Sequence, residues 1–184
     1  MAPHTEITDC LRIQRLSRFL AISCLVLMIV LPIAVIIYWA WASPAELALR
    51  VNLPASAIQG PLSAWQRATA ILITEVPLAL LIIGLWQARK CFKLFAVGQV
   101  FTAEAVRCLR RFAGWVMVSV VVGLVASVAL SVLLTLHNPP GMRHVALGIG
   151  SDQIFTLFFA GMVWLMAAVI SQGQGLAEEN ATFI

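Results

Sequence analysis

Residues 89–111, RKCFKLFAVGQVFTAEAVRCLRR, lie between two long apolar runs and carry six of the chain's 12 lysines and arginines, with Glu104 as their sole acid. A segment with that excess of Lys and Arg stays on one side of a membrane, and the positive-inside rule assigns that side to the cytoplasm. The apolar runs flanking it must therefore both leave from the cytoplasmic face. With 61 % hydrophobic and 11 % charged residues over 184 positions, the chain lies far from soluble composition, in which about a quarter of residues are charged. It reads as an integral membrane protein.

Upstream, Trp65 opens an apolar run whose helix is expected over about 67–88, with Arg67 at the outer end and Arg89 and Lys90 at the inner end. Before it, residues 43–64 are broken by Pro44, Pro54 and Pro61 into pieces too short to span, and form an external loop. Ala45–Val51 can make a short interfacial helix there, with Leu47 toward the membrane and Glu46 paired with Arg50. The first span, about 19–41, follows Arg12, Arg15 and Arg18, which share one helical face. Tyr38, Trp39 and Trp41 at its far end read as an aromatic belt, and Pro32 as a kink. A cleaved signal peptide is the rival reading, disfavoured by so long an apolar run.

Within the central segment, Phe92 and Phe95 extend the second helix, and Gly98 is placed to end it with positive φ. Thr102 is the expected N-cap of the next helix, with Glu104 in its first turn. Two helices thus protrude into the cytoplasm as a hairpin joined at residues 98–101.

Downstream, the third span covers about 112–136, and Ser119, Gly123, Ser127 and Ser131 recur on one face every four residues. Small residues at that spacing let helices pack closely in lipid, within the bundle or between copies in a homo-oligomer. The fourth span is about 154–171, and the tail after it carries Glu178 and Glu179 and no basic residue. Nine basic residues inside against Arg50, Arg67 and Arg143 outside place both termini in the cytoplasm. The fold class is therefore all-α: a single membrane domain, residues 1–184, of four transmembrane helices, N-in and C-in, with the cytoplasmic loop 89–111.

Glu75 is the one acid well inside an apolar run, roughly 13 Å below the outer boundary at the rise of a helix. An unpaired carboxylate at that depth costs several kcal/mol, so it is protonated, paired or wet. Two readings stand. A neutral Glu75 hydrogen-bonds Ser119, Ser127 or Ser131; or it lines an outward-open cavity and takes a proton, cation or ligand.

Other chemistry is sparse. No Gly-x-Ser-x-Gly, His-Glu-x-x-His or phosphate loop is present, and no catalytic residue or cofactor is expected. His137, His144 and Asp152 straddle a Pro-Pro-Gly turn in no recognised ligand pattern, so no metal is expected. Four cysteines without Cys-x-x-Cys spacing read as packing thiols. Basic residues flanking apolar runs are orientation signals, and direct nucleic-acid binding is not expected.

Phe95, Gly98, Phe101, Thr102, Glu104, Val106, Leu109, Arg110 and Arg111 resemble the central signature of a bacterial family of small four-helix membrane proteins, the domain-of-unknown-function (DUF) family twenty-nine seventy-five. Leu176-Ala177-Glu178-Glu179-Asn180 and the final Phe183-Ile184 are similar to that family's ending. Ala105 stands where the family often has Asn, and Ala181 where it often has Asp. The resemblance implies an inner-membrane protein with no known reaction. Its members are often encoded beside a small helix-turn-helix regulator, which implies control of a cytoplasmic partner. Phe95, Gly98, Phe101, Thr102, Glu104, Leu109, Arg110, Arg111, Leu176 and Glu179 are then the expected docking residues. The competing expectations are a transporter or channel component using Glu75, and a basic loop that only anchors the chain to anionic lipid.

Overall fold

The computed structural model of the protein describes residues 3–51, 53–54, 62–99, 102–136, 138 and 148–181, without the side chains of residues 3–11, 50 and 176–181. Among them the chain is helical, with no strand: α1 Pro3–Trp41, α2 Pro44–Arg50, α3 Ala64–Ala96, α4 Ala103–Thr135 and α5 Ser151–Ala181. Four helical stretches are long and apolar enough to cross a membrane: Arg12–Trp41, Ala64–Ala96, Ala103–Thr135 and Ser151–Gly175. The shortest has 25 residues, about 38 Å at helical rise against a hydrocarbon core of about 30 Å. Only 11 % of the apolar window is buried by protein in three of these stretches, against 28 % in α4. Lipid must therefore cover most of the aliphatic surface, and α4 is the most enclosed helix.

The helices overrun the expected spans. α1 starts at Pro3, a residue suited to the first helical turn, and continues through the arginine face to the apolar run. α5 continues past the expected stop near residue 171 to Ala181. Gly173 and Gly175 weaken that stretch by about 1 kcal/mol each relative to alanine, but Gln172, Gln174, Leu176, Ala177 and Glu178 are good helix formers.

Three starts share one device, a polar side chain at the third helical position reaching back to the cap. At α2 the Ser43 N–H donates to Glu46 Oε2 (2.8 Å) and the Glu46 N–H to Ser43 Oγ (3.4 Å), a full capping box. These bonds, led by that from the Ser43 N–H, hold the exposed Glu46 carboxyl below its ordinary 4.5. At α3 the Ser63 N–H donates to Gln66 Oε1 (3.0 Å), and at α5 the Gly150 N–H donates to Gln153 Oε1 (2.8 Å).

The chain forms two compact units, one from residues 1–28, 82–117 and 157–184, the other from residues 29–81 and 118–156. The second has a core of Trp39, Ala42, Leu47, Ala48, Val51, Leu53, Ala70, Leu130 and Leu134. Two expectations are corrected there. Trp39 is 1 % exposed, so it belongs to the core and not to an interfacial belt, whereas Trp41 is 87 % exposed. Leu47 is 0 % exposed: α2 turns its apolar side onto its own protein and not toward the membrane.

Arg67 locks this arrangement. Its Nη1 donates to the carbonyls of Trp39 (2.7 Å), Ala40 (3.1 Å) and Ala42 (3.3 Å). The last carbonyls of a helix have no partner of their own, and a cation there also meets the negative end of the helix dipole. Arg67 is therefore the C-terminal cap of α1, supplied from α3.

In the first unit, α3 and α4 meet through small residues. A Cβ on Gly84 would lie 3.3 Å from the Trp115 Cβ and 3.6 Å from the Phe112 carbonyl oxygen, so only glycine lets the backbones come this close unstrained. Ala88 and Cys91 follow on the same helix, 4 % and 1 % exposed, opposite Ala105 and Cys108. The Cys91 thiol donates to the Ala105 carbonyl at 3.6 Å. Cys24, Cys91 and Cys108 are all buried free thiols.

Candidate functional site

The central segment is shaped by two caps. The Gly98 N–H donates to the Phe95 carbonyl and the Gln99 N–H to the Leu94 carbonyl, both at 3.0 Å, with Gly98 at φ 82°. This is a Schellman motif, and the positive φ is why residue 98 is glycine. On the far side Thr102 Oγ1 accepts from the Ala105 N–H (3.3 Å), and the Thr102 carbonyl from the Val106 N–H (3.1 Å). Thr102 is thus the N-cap of α4, with Glu104 in its first turn.

The expected docking residues lie on either side of these caps. Phe95 is half-buried and stacks edge-on with Phe92 at 6.4 Å. Val106 and Cys108 turn inward, Leu109 is half-buried, and Glu104, Arg107, Arg110 and Arg111 are exposed. Arg110 is held in place by α5, its guanidinium lying 4.7 Å from the centre of the Trp164 ring. The result is a predominantly cationic surface able to meet acidic groups. Phe101 lies outside the described residues; Leu176 and Glu179 lie in α5, their side chains undescribed.

In the second unit α4 presents Ser119, Gly123, Ser127 and Ser131. Ser119, 8 % exposed, donates to the Pro77 carbonyl of α3 at 2.7 Å. A Cβ on Gly123 would lie 3.9 Å from the Pro77 Cβ, an ordinary contact. Ser127 and Ser131 donate to their own helix, at Leu124 and Val128, both 2.8 Å. The expected pairing of Glu75 with these serines is therefore corrected: their hydroxyls go to backbone carbonyls. Glu75 Oε1 is buried and has no hydrogen-bond partner among the described residues.

Beside this contact is a cavity of about 350 Å³, walled by Trp39, Thr74, Pro77, Gly123, Ser127 and Leu130, with Asp152 and Gln153 contributing polar groups. Glu75 is not among its lining residues, so it does not line this cavity. Thr74 and Pro77, on either side of it in sequence, share the helix face that does. His137 and His144 lie outside the described residues.

The sequence profile of the family described as a protein of unknown function, DUF2975, matches residues 53–184. The chain belongs to the DUF2975 family. The match takes in the capped central segment, the serine-bearing helix α4 and α5, but not α1 or α2. No curated protein and no solved structure matches the chain.

Proposed function

We propose that this is a regulatory or interaction protein of the bacterial inner membrane that docks a soluble cytoplasmic protein, such as a small helix-turn-helix regulator, on its central segment. Both termini share the cytoplasmic side with that segment, as nine of the chain's 12 basic residues imply. The observation that carries the reading is the pair of caps at Gly98 and Thr102. A Schellman motif ends α3 and an N-cap starts α4, whose first turns present Glu104, Arg107 and Arg111 outward. A lipid anchor needs only the charge; two defined helix ends with mixed charge suit a protein. No catalytic step is part of this function.

A photocrosslinker at Gln99, in cells, tests it. The expected product is a discrete adduct with one soluble protein, lost when Arg111→Glu reverses the charge beside the site. Adducts with lipid alone would leave only the anchor. A reporter inserted near Gly98 or fused after Ile184 and found active outside the cytoplasm would overturn the topology.

A second reading, a small transporter or channel component, is favoured by the buried, unpartnered Oε1 of Glu75. Glu75→Gln keeps the shape and the hydrogen-bonding capacity of a neutral glutamic acid. A folded Glu75→Gln protein that functions like the parent removes this reading; a folded but unresponsive one supports it.

A further inference from the structure

Three cations of the first unit stand outside the docking surface. Arg18 of α1 and Arg89 and Lys93 of α3 converge on a cleft of about 480 Å³. The lining residues Arg18, Ile22 and Leu25 recur at i, i+4 and i+7 on α1, so one stripe of the helix faces the cleft. Arg89, Lys93 and Ala96 do the same on α3 at i, i+4 and i+7. No acid lines it among the described residues. Arg89 Nε is buried and has no hydrogen-bond partner among the described residues, although buried guanidinium donors are almost always satisfied.

We propose that this cleft binds one anionic phospholipid, its phosphodiester among Arg18, Lys93 and Arg89, and its acyl chain along Ile22 and Leu25. The charge calls for an anion, and a planar guanidinium suits phosphate oxygens. The apolar stripe decides between a lipid and a free anion: Ile22 is 61 % exposed and Leu25 36 %, and an inorganic phosphate would leave both uncovered. On α1 the order along the helix is also right, since Leu25 lies two turns beyond Arg18 in the direction of the apolar run, so head group and chain fall in sequence. A basic pocket between membrane helices is the usual form of a head-group site. The site shares no residue with the docking surface, so the two can fail separately.

The test uses the full chain purified in neutral detergent, with lipid binding resolved by native mass spectrometry and thermal stability read in parallel. The probes are phosphatidylglycerol, phosphatidylcholine of the same chains, and inorganic phosphate. One phosphatidylglycerol should be retained and should stabilise the protein, while phosphatidylcholine and phosphate should not. Arg89→Gln should weaken retention roughly fivefold, the value of one cation at a membrane surface, whereas Arg107→Gln, exposed on α4 and outside the cleft, should not. Should Arg89→Gln fail to fold, Lys93→Gln, whose side chain is exposed, gives the same reading with less risk to packing. Equal retention of the two lipids, equal loss in the Arg107 control, or equal stabilisation by phosphate alone would each overturn the proposal.

Discussion

Replacing Arg67 by glutamine removes the only cation that caps α1 among the described residues and leaves the carbonyls of Trp39, Ala40 and Ala42 to find other partners. A single nitrogen carries two N–H groups, so the contacts at 2.7 and 3.1 Å are full bonds and the one at 3.3 Å is shared. Hydrogen bonds from a charged donor contribute about 1.5–3 kcal/mol each, and the Ala40 contact, being exposed, falls at the low end, so Arg67→Gln should cost roughly 3–4.5 kcal/mol. Arg67→Lys keeps the charge at the helix end but not the fork, and should recover about half. Unfolding in mixed micelles by titration with dodecyl sulfate, followed by circular dichroism, gives the free energies. Hydrogen exchange at residues 38–42 reports the last turn of α1. A loss below about 0.5 kcal/mol for Arg67→Gln, the range of ordinary surface changes, would refute the clamp, as would unchanged exchange in that turn.

Gly84→Ala forces a Cβ to 3.3 Å from Trp115, an overpacked contact of about 1–3 kcal/mol that outweighs or cancels alanine's helix-propensity gain of about 1 kcal/mol, whereas Gly123→Ala, with its nearest atom at 3.9 Å, should stabilise by up to about 1 kcal/mol; thermal stability in detergent compares them. Thr102→Ala removes the N-cap of α4 and should cost about 1 kcal/mol of local stability, read as faster exchange at residues 103–106. Glu46 has its carboxyl lowered by Ser43, so its contribution is complete above the ordinary 4.5 and disappears as pH falls through the lower folded value. Exchange in α2 should accelerate across that acid window in the parent and lose this dependence in Glu46→Gln.

What the sequence made legible was whatever depends on composition and local rules. Four apolar runs flanked by charge give four spanning helices, and Gly98 and Thr102 announce their caps because positive φ and N-cap geometry are local requirements. The close contact in the first unit was also written locally, as Gly84-x-x-x-Ala88, a pattern shorter and less regular than the serine and glycine stripe of α4. Ser127 and Ser131 satisfy their hydroxyls on their own helix, which a periodicity cannot distinguish from packing across helices. Trp39 and Leu47 were misread for a different reason. An aromatic or apolar residue near a membrane boundary has two apolar destinations, lipid or protein. Only the return of α2, fixed by its capping box, decides between them.

The polar groups around Pro77 separate two questions that sequence joins. Proline has no N–H to give to the Ile73 carbonyl. Thr69 and Thr74 each donate back to the carbonyl four residues earlier, at 2.9 and 2.8 Å, an arrangement that favours bending. Gly123 and Ser127 fill little of the space opposite. A cavity of about 350 Å³ at this place follows from residues that lack volume, and it reaches the lower range of ligand pockets, about 300–1,000 Å³. Its one ionisable lining group among the described residues is Asp152, at the start of α5, and Glu75 faces elsewhere. A ligand or cation in the cavity would therefore answer to Asp152, and a proton on Glu75 would have to arrive by another route. Function altered by Glu75→Gln but not by Asp152→Asn would place the ionisable site outside the cavity. The reverse would make the cavity the sensing element and leave Glu75 a neutral buried acid.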